Sequence, residues 1–304
     1  MSPSASLSVF SSPDLFQCFT AFQGGLHSDM LPFNGWFAPE INHTFDRLIQ
    51  AMEVLHPYWE PSMSAWYQQY GTSRLKLLFQ CLPSMTPVVA LEAVASGRVV
   101  VLDFLHTNGL LDDSNVHLNN LAAALGQPLV MVFLEEHDNP SYDKLAMDRA
   151  AERGHLSVVQ YLLTKQYPSS CSLNLAAKYG HEDVVRLLHE AHAPCTTFAM
   201  DWAAKDGHLN IVKFLHANRS EGCIGQAMSW AAANGHLDVV SFLHNNRSEG
   251  CTREAIVKAA ENGHMNVVKF LVEHRRESLI EKASEAATRR GHTHIAAYLA
   301  EIPA

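Results

Sequence analysis

Basic residues are missing from the start of the chain, where the first Lys or Arg is Arg47. A secretory leader needs a positive beginning and an organelle transit peptide needs arginines, so neither is expected. Long apolar runs are missing too. The stretch Leu129 to Leu134 is among the longest, far short of the about 20 residues that cross a bilayer. Cys-x-x-Cys, Gly-Lys-Ser/Thr, Gly-x-Ser-x-Gly and Gly-x-Gly-x-x-Gly do not occur, which removes the usual signatures of redox, phosphate-loop, hydrolase and dinucleotide chemistry. Lys and Arg number 22 against 31 Asp and Glu, a net charge of −9. That balance argues against nucleic acid, which is held by bases neutralising phosphates. The expectation is a soluble intracellular protein, cytoplasmic or nuclear, in which the glycosylation patterns at Asn42, Asn218 and Asn246 stay unused.

What is present is repetition. Asn218-Arg219-Ser220-Glu221-Gly222-Cys223 recurs letter for letter as Asn246-Arg247-Ser248-Glu249-Gly250-Cys251. A Gly-His step recurs at Gly154, Gly180, Gly207, Gly235, Gly263 and Gly291, at spacings of 26, 27, 28, 28 and 28. Weaker copies precede it at Gly71, Gly97 and Gly126, giving about nine units. Each unit reads as two short helices. The first ends in an Ala pair such as Ala203-Ala204 or Ala231-Ala232; the second carries a bulky face such as Ile211, Val212, Phe214 and Leu215. Thr196 and Thr252 stand where a helix needs a cap, and Gly closes the turn. No unit can bury its face alone, so the units must stack into one continuous core. Small-residue helices pack closer than bulky ones, which would curve the stack toward them.

Ala-Ala-x-x-Gly-His-x-x-Val-Val-x-x-Leu resembles the ankyrin repeat, over roughly residues 62 to 304. The resemblance implies an all-α solenoid of helix-turn-helix units and a non-catalytic role in binding proteins. The units here are shorter than the family's about 33 residues, and Thr-Pro-Leu-His is missing. Short loops are therefore expected in place of hairpin fingers.

Residues 1–60 lie outside the repeat. The first dozen are Ser-rich and expected to be mobile. Leu15, Phe16, Phe19 and Phe22 fall at helical spacing after Pro13, Trp36 and Trp59 add aromatic density, and Phe45 to Leu55 reads as a helix. The segment is expected to cap the open end of an array spanning 61–304. An alternative is a docking module, because Ser12-Pro13-Asp14-Leu15-Phe16 faintly resembles the start of an F-box, which would make the chain a substrate adaptor for a ubiquitin ligase. At the other end Arg275, Arg276, Lys282, Arg289 and Arg290 are interleaved with Glu273, Glu277, Glu281 and Glu285. This reads as a salt-bridged solvated end or a contact for an acidic partner.

Of the 18 histidines, ten sit at repeating positions: six after the glycines, and His106, His189, His216 and His244 at the ends of second helices. Equivalent positions of adjacent units lie about 8–10 Å apart, too far to share a zinc ion whose ligands sit at about 2.0–2.3 Å. Hydrogen bonding to turn backbone is the expected role. Cys195, Cys223 and Cys251 form a similar ladder, too widely spaced for disulfides, and read as small residues under each loop. No cofactor or metal is expected. An enzyme with an unfamiliar site is a remote alternative.

The position five before each glycine changes freely: Trp66, Glu92, Leu121, Arg149, Leu175, Trp202, Trp230, Lys258 and Ala286. A variable site beside a constant core is where a solenoid can encode specificity. Aromatic and cationic groups dominate binding hot spots, so Trp202, Trp230, Lys258 and Arg149 are the candidate contacts, with Asp201, Ser229, Lys205 and Asp206 around them. The competing reading lays both Trp flat as core or as cation–π partners of Lys258. A monomer that binds a protein partner on the concave face is expected.

Overall fold

Glycine after an Ala pair closes each turn because the backbone there is left-handed: φ is +73° at Gly154, +85° at Gly180 and +83° at Gly207. The computed structural model describes residues 22–23, 26–36, 38, 45–111, 117–137, 145–166, 169, 171–274 and 279–302. The chain divides into two compact units, Met1–Asp143 and Lys144–Ala304.

The first unit opens with a small antiparallel ribbon, β1 (Phe22–Gln23) and β2 (Leu26–His27), in which Phe22 pairs with His27. The helix expected over residues 13–22 otherwise lies outside the described residues; at Phe22 the chain is strand, not helix. A 3₁₀ helix, Ser28–Phe33, follows. Then α1 runs from Phe45 to Tyr70, with Pro57 and Pro61 inside it, well beyond the Leu55 at which a helix end was read. Leu75–Cys81 (α2), Met85–Ala95 (α3), Val99–Thr107 (α4), His117–Ala124 (α5) and Pro128–Glu136 (α6) follow among the described residues of this unit. Its entry is held by aromatics. Phe33 meets Trp36 at 5.1 Å and Trp66 at 5.9 Å between ring centroids, and Trp36 stacks on Trp59 at 6.2 Å. Asp29 ties the 3₁₀ helix down, accepting from Trp66 Nε1 at 3.2 Å and pairing with Arg74 at 2.9 Å.

Among its described residues the second unit holds six helix pairs: α7 (Leu145–Glu152) with α8 (Leu156–Thr164), α9 (Ser172–Tyr179) with α10 (Glu182–Glu190), α11 (Thr197–Lys205) with α12 (Leu209–Asn218), α13 (Gln226–Ala233) with α14 (Leu237–Asn246), α15 (Ala255–Glu261) with α16 (Met265–His274), and α17 (Ile280–Arg289) with α18 (Thr293–Ala300). The first helix of each pair is called inner here and the second outer. All the Ala pairs are fully buried, as are Val184, Val185, Val212, Val239, Val240 and Val268. Successive inner helices approach one another more closely than outer ones do. Among the described residues of this unit the connections contain no strand.

Thr196 caps α11, its hydroxyl accepting from Phe198 N at 3.3 Å. Thr252 does not cap: α15 begins only at Ala255, and the Thr252 hydroxyl bonds Ser229 instead. The bulky outer face is also less uniform than its letters, since Phe214, Phe242 and Phe270 are half-buried. Their rings take the imidazoles of His189, His216 and His244 edge-on at 5.3, 5.5 and 5.5 Å. These outer histidines thus pack against Phe, whereas His181 and His208, after the glycines, bind the turn carbonyls of Glu152 and Lys178.

Candidate partner-binding surface

The inner helices expose one edge and turn the next residue inward. At Trp202 the indole is half-buried and stacks on Phe198, four residues earlier on α11, at 5.1 Å and 13°. Residues at i and i+4 share a helix face, which is why the two rings meet. Phe198 is 46% exposed and Tyr179 44%. Lys178 lies between them: its Nζ is 4.5 Å from the Tyr179 ring centre, 5.8 Å from that of Trp202, and donates to the Tyr179 hydroxyl at 3.1 Å. The cation that serves Trp202 is therefore Lys178, not Lys258. Trp230 is also half-buried, one unit further on. Lys205 and Asp206 are exposed at the end of α11.

Other candidates are engaged elsewhere. Lys258 pairs with Glu261 at 2.8 Å, and Arg290 joins the same carboxylate at 3.1 Å. Arg149 pairs with Glu152 at 2.7 Å. Trp66 is buried beneath Asp29, and Ala286 is fully buried.

Asp201 and Ser229 do not rim the surface; both are buried. They belong to a ladder that ties each inner helix to the loop of the next unit. Asp148 accepts from Ser169 Oγ at 2.5 Å. Asn174 accepts from Thr196 N at 3.2 Å and donates to Thr196 Oγ1 at 2.9 Å. Asp201 accepts from Ile224 N at 2.9 Å, and Ser229 from Thr252 N at 2.9 Å. Burial pushes the Asp201 carboxyl up to about 6, against the opposing hydrogen bonds from Ile224 N and the Thr197 hydroxyl. Among the described residues its Oδ2 has no hydrogen-bond partner.

The duplicated loops are likewise internal furniture. Arg219 pairs with Glu221 at 2.6 Å and Arg247 with Glu249. Burial raises the Cys195 and Cys223 thiols to about 11, with Glu221 and Glu249 adding in the same sense. Among the described residues no group of His, Cys, Asp and Glu is placed to hold a metal ion.

The model of a family described as ankyrin repeats matches three overlapping stretches, residues 150–225, 173–251 and 228–303, together half of the chain. The chain belongs to the ankyrin-repeat family. Among solved structures, the crystal structure of the human ASB11 ankyrin repeat domain resembles it at 18% identity and a TM-score of 0.48, covering 61% of this chain and 99% of that one. No curated protein matches.

In this ankyrin array the sequence pattern named Trp202 and Trp230 but not Phe198 and Lys178, which lie against Trp202, nor Tyr179 beside Lys178. Phe198 carried a usable signal, an aromatic at i−4 from Trp202 on the same helix. Lys178 and Tyr179 carried none within their own unit, because the ring they approach belongs to the next one.

Proposed function

We propose that this ankyrin-repeat protein is a non-catalytic scaffold, and that it binds its protein partner on the inner-helix side of the second unit, centred on Trp202. Ankyrin repeats mark a protein–protein interaction scaffold. The observation that carries it is the half-exposed Phe198–Trp202 stack beside Tyr179 and Lys178. The Ala pairs already fill the core beneath these rings, so packing does not require them there. Large aromatics with a cation are the groups on which binding energy concentrates. The tighter approach of inner helices bends a stack toward their side, which makes that side the concave one.

Residues 28–36 serve as a cap over α1 in this reading. Met30 and Phe33 are 0% and 1% exposed, and a docking module would need such side chains free. The F-box-like letters at Ser12–Phe16 lie outside the described residues. Among the described residues no helix is long and apolar enough to cross a membrane.

The test is capture of partners by the full chain and by a Phe198→Ala/Trp202→Ala variant, with folding of both followed by circular dichroism. A partner retained equally by the folded variant would remove this site.

A further inference from the structure

In an Asn-Gly step the side-chain amide is open to attack by the next backbone nitrogen, because glycine has no Cβ to hinder the approach. The step occurs four times, at Asn34-Gly35, Asn108-Gly109, Asn234-Gly235 and Asn262-Gly263. In the last three both reacting groups are held. The side-chain amides of Asn108, Asn234 and Asn262 donate to Phe104 O, Lys205 O and Ala233 O at 2.7, 2.7 and 2.6 Å. The N–H groups of Gly109, Gly235 and Gly263 donate to His106 O, Ala232 O and Ala260 O at 2.9, 3.2 and 3.3 Å. Asn34-Gly35 differs. Both residues are exposed. Among the described residues neither the Asn34 side-chain amide nor the Gly35 N–H has a hydrogen-bond partner. A Cβ on Gly35 would meet nothing within 4 Å. The pair forms the centre of a tight turn, Asn34 at φ −63° and ψ 126° and Gly35 at φ +83°, closed by Trp36 N donating to Phe33 O at 3.0 Å. These are type II angles, which call for glycine at the third position. The turn joins two buried rings, Phe33 against Trp66 and Trp36 stacked on Trp59.

We propose that Asn34 is a site of spontaneous deamidation and isomerisation, the fastest of the four Asn-Gly steps in the folded protein. Solvent base removes the Gly35 amide proton. The nitrogen bonds to Asn34 Cγ, and the bond from Cγ to the side-chain nitrogen breaks with loss of ammonia, leaving a succinimide ring. Water then opens the ring at one of its two carbonyls. Cleavage between nitrogen and Cγ gives aspartate. Cleavage between nitrogen and the main-chain carbonyl carbon gives isoaspartate, with the backbone rerouted through the side chain. The other three steps must first break the hydrogen bonds that hold both groups, which lowers their rates by the local opening equilibrium. Isoaspartate adds a carbon to the main chain between Phe33 and Trp36, so the turn loses the spacing that seats both rings. The added charge alone matters less, since the site is exposed.

The test incubates the full chain in mildly alkaline buffer, native and in urea. Each Asn-Gly peptide is followed by mass spectrometry, and isoaspartate is read with an isoaspartyl methyltransferase and a labelled methyl donor. In the native protein Asn34 is expected to convert at least tenfold faster than Asn108, Asn234 or Asn262, and in urea all four at similar rates. A native rate at Asn34 no greater than at Asn234 and Asn262 would overturn the site. A lead of Asn34 that persists in urea would show that the fold does not set it, and overturns the structural cause. Protein carrying isoaspartate at Asn34 is expected to unfold at a lower temperature than an Asn34→Asp variant, which has the charge on an ordinary backbone. Equal unfolding temperatures would overturn the effect on the turn.

Discussion

His208 closes against Gly180 of the preceding repeat, its Nε2 3.0 Å from the carbonyl oxygen of Lys178. A carbonyl only accepts, so the proton sits on Nε2. A Cβ on residue 180 would lie 2.6 Å from the imidazole Cε1. His181 repeats the arrangement, its Nε2 2.9 Å from Glu152 O and its ring against Gly154. The Gly-His step is thus one device split across two units. Glycine supplies the left-handed turn and the space, and the next unit's histidine fills the space; His181 and His208 also satisfy a carbonyl at the helix end, a task that Asn234 and Asn262 perform in later units.

That pairing separates two costs of replacing glycine. Gly291 is left-handed at φ +79° but has nothing within 4 Å of an added Cβ. Gly291→Ala is expected to lose about 1–2 kcal/mol, the penalty of the backbone region alone. Gly180→Ala meets the same penalty and must also displace His208, so urea unfolding should show a loss about 1 kcal/mol or more greater. Equal losses would mean that the imidazole contact is loose.

Gln127 stands where later units have histidine. Its Nε2 donates to Ala95 O at 2.7 Å, and its side chain lies against Gly97. The same task is performed by a different residue. Gln127→His is expected to be near neutral, and Gln127→Ala to cost about 1 kcal/mol, the worth of one net hydrogen bond. Thermal unfolding of both variants reads this, and a Gln127→Ala protein as stable as the parent would contradict it.

Asp201 predicts a pH dependence of unusual sign. Its carboxyl titrates at about 6 in the fold against an ordinary 3.8. From about pH 4 to 6 the folded state keeps a proton that the unfolded state has lost, so this residue's contribution falls as pH rises and stays low above 6. Glu249 and Glu261 act oppositely. Held low by Arg247 and by Lys258 with Arg290, they add stability above about pH 4.5 and lose it on acidification. Subtracting an Asp201→Asn curve from the parent curve isolates the first effect. The variant should be more stable above pH 6, with the difference vanishing near pH 4; Asn174 already fills this ladder position. A variant less stable at pH 7 would show that the charge itself is needed.

The thiols give a chemical check on the loops. Cys195 and Cys223 are raised to about 11, so at pH 8 the reactive thiolate is scarce. Cys171 is exposed. Iodoacetamide followed by peptide mass spectrometry should label Cys171 well before Cys195 and Cys223, and all three alike in urea. Fast labelling of Cys223 in the native protein would contradict its burial.

The helix pairs were legible because the repeat writes them in a fixed period of small residues, glycine and bulky residues. What was not legible came from partners distant in sequence. Asp201 and Trp202 are neighbours about 100° apart on one helix, and either could have faced outward. The choice is made by the amide of Ile224, 23 residues later, which draws Asp201 inward. Thr252 was misread as a cap for the same reason, since Ser229 of the preceding unit takes its hydroxyl. Trp202 owes its cation to Lys178, whereas Lys258 is held by Glu261. At the other end, Pro57 and Pro61 lie inside α1 where proline ordinarily ends a helix, so its length could not be read from pattern.

The central claim is that the Phe198–Trp202 stack is a binding surface and not a structural one. The most direct measurement is paired: urea unfolding and partner capture for the parent, Phe198→Ala and Trp202→Ala. The account predicts that both variants keep stability to within about 1 kcal/mol, as half-exposed side chains should, while losing about 2 kcal/mol or more of partner affinity. Variants that lose stability and retain the partner would place the rings in the core and the binding site elsewhere.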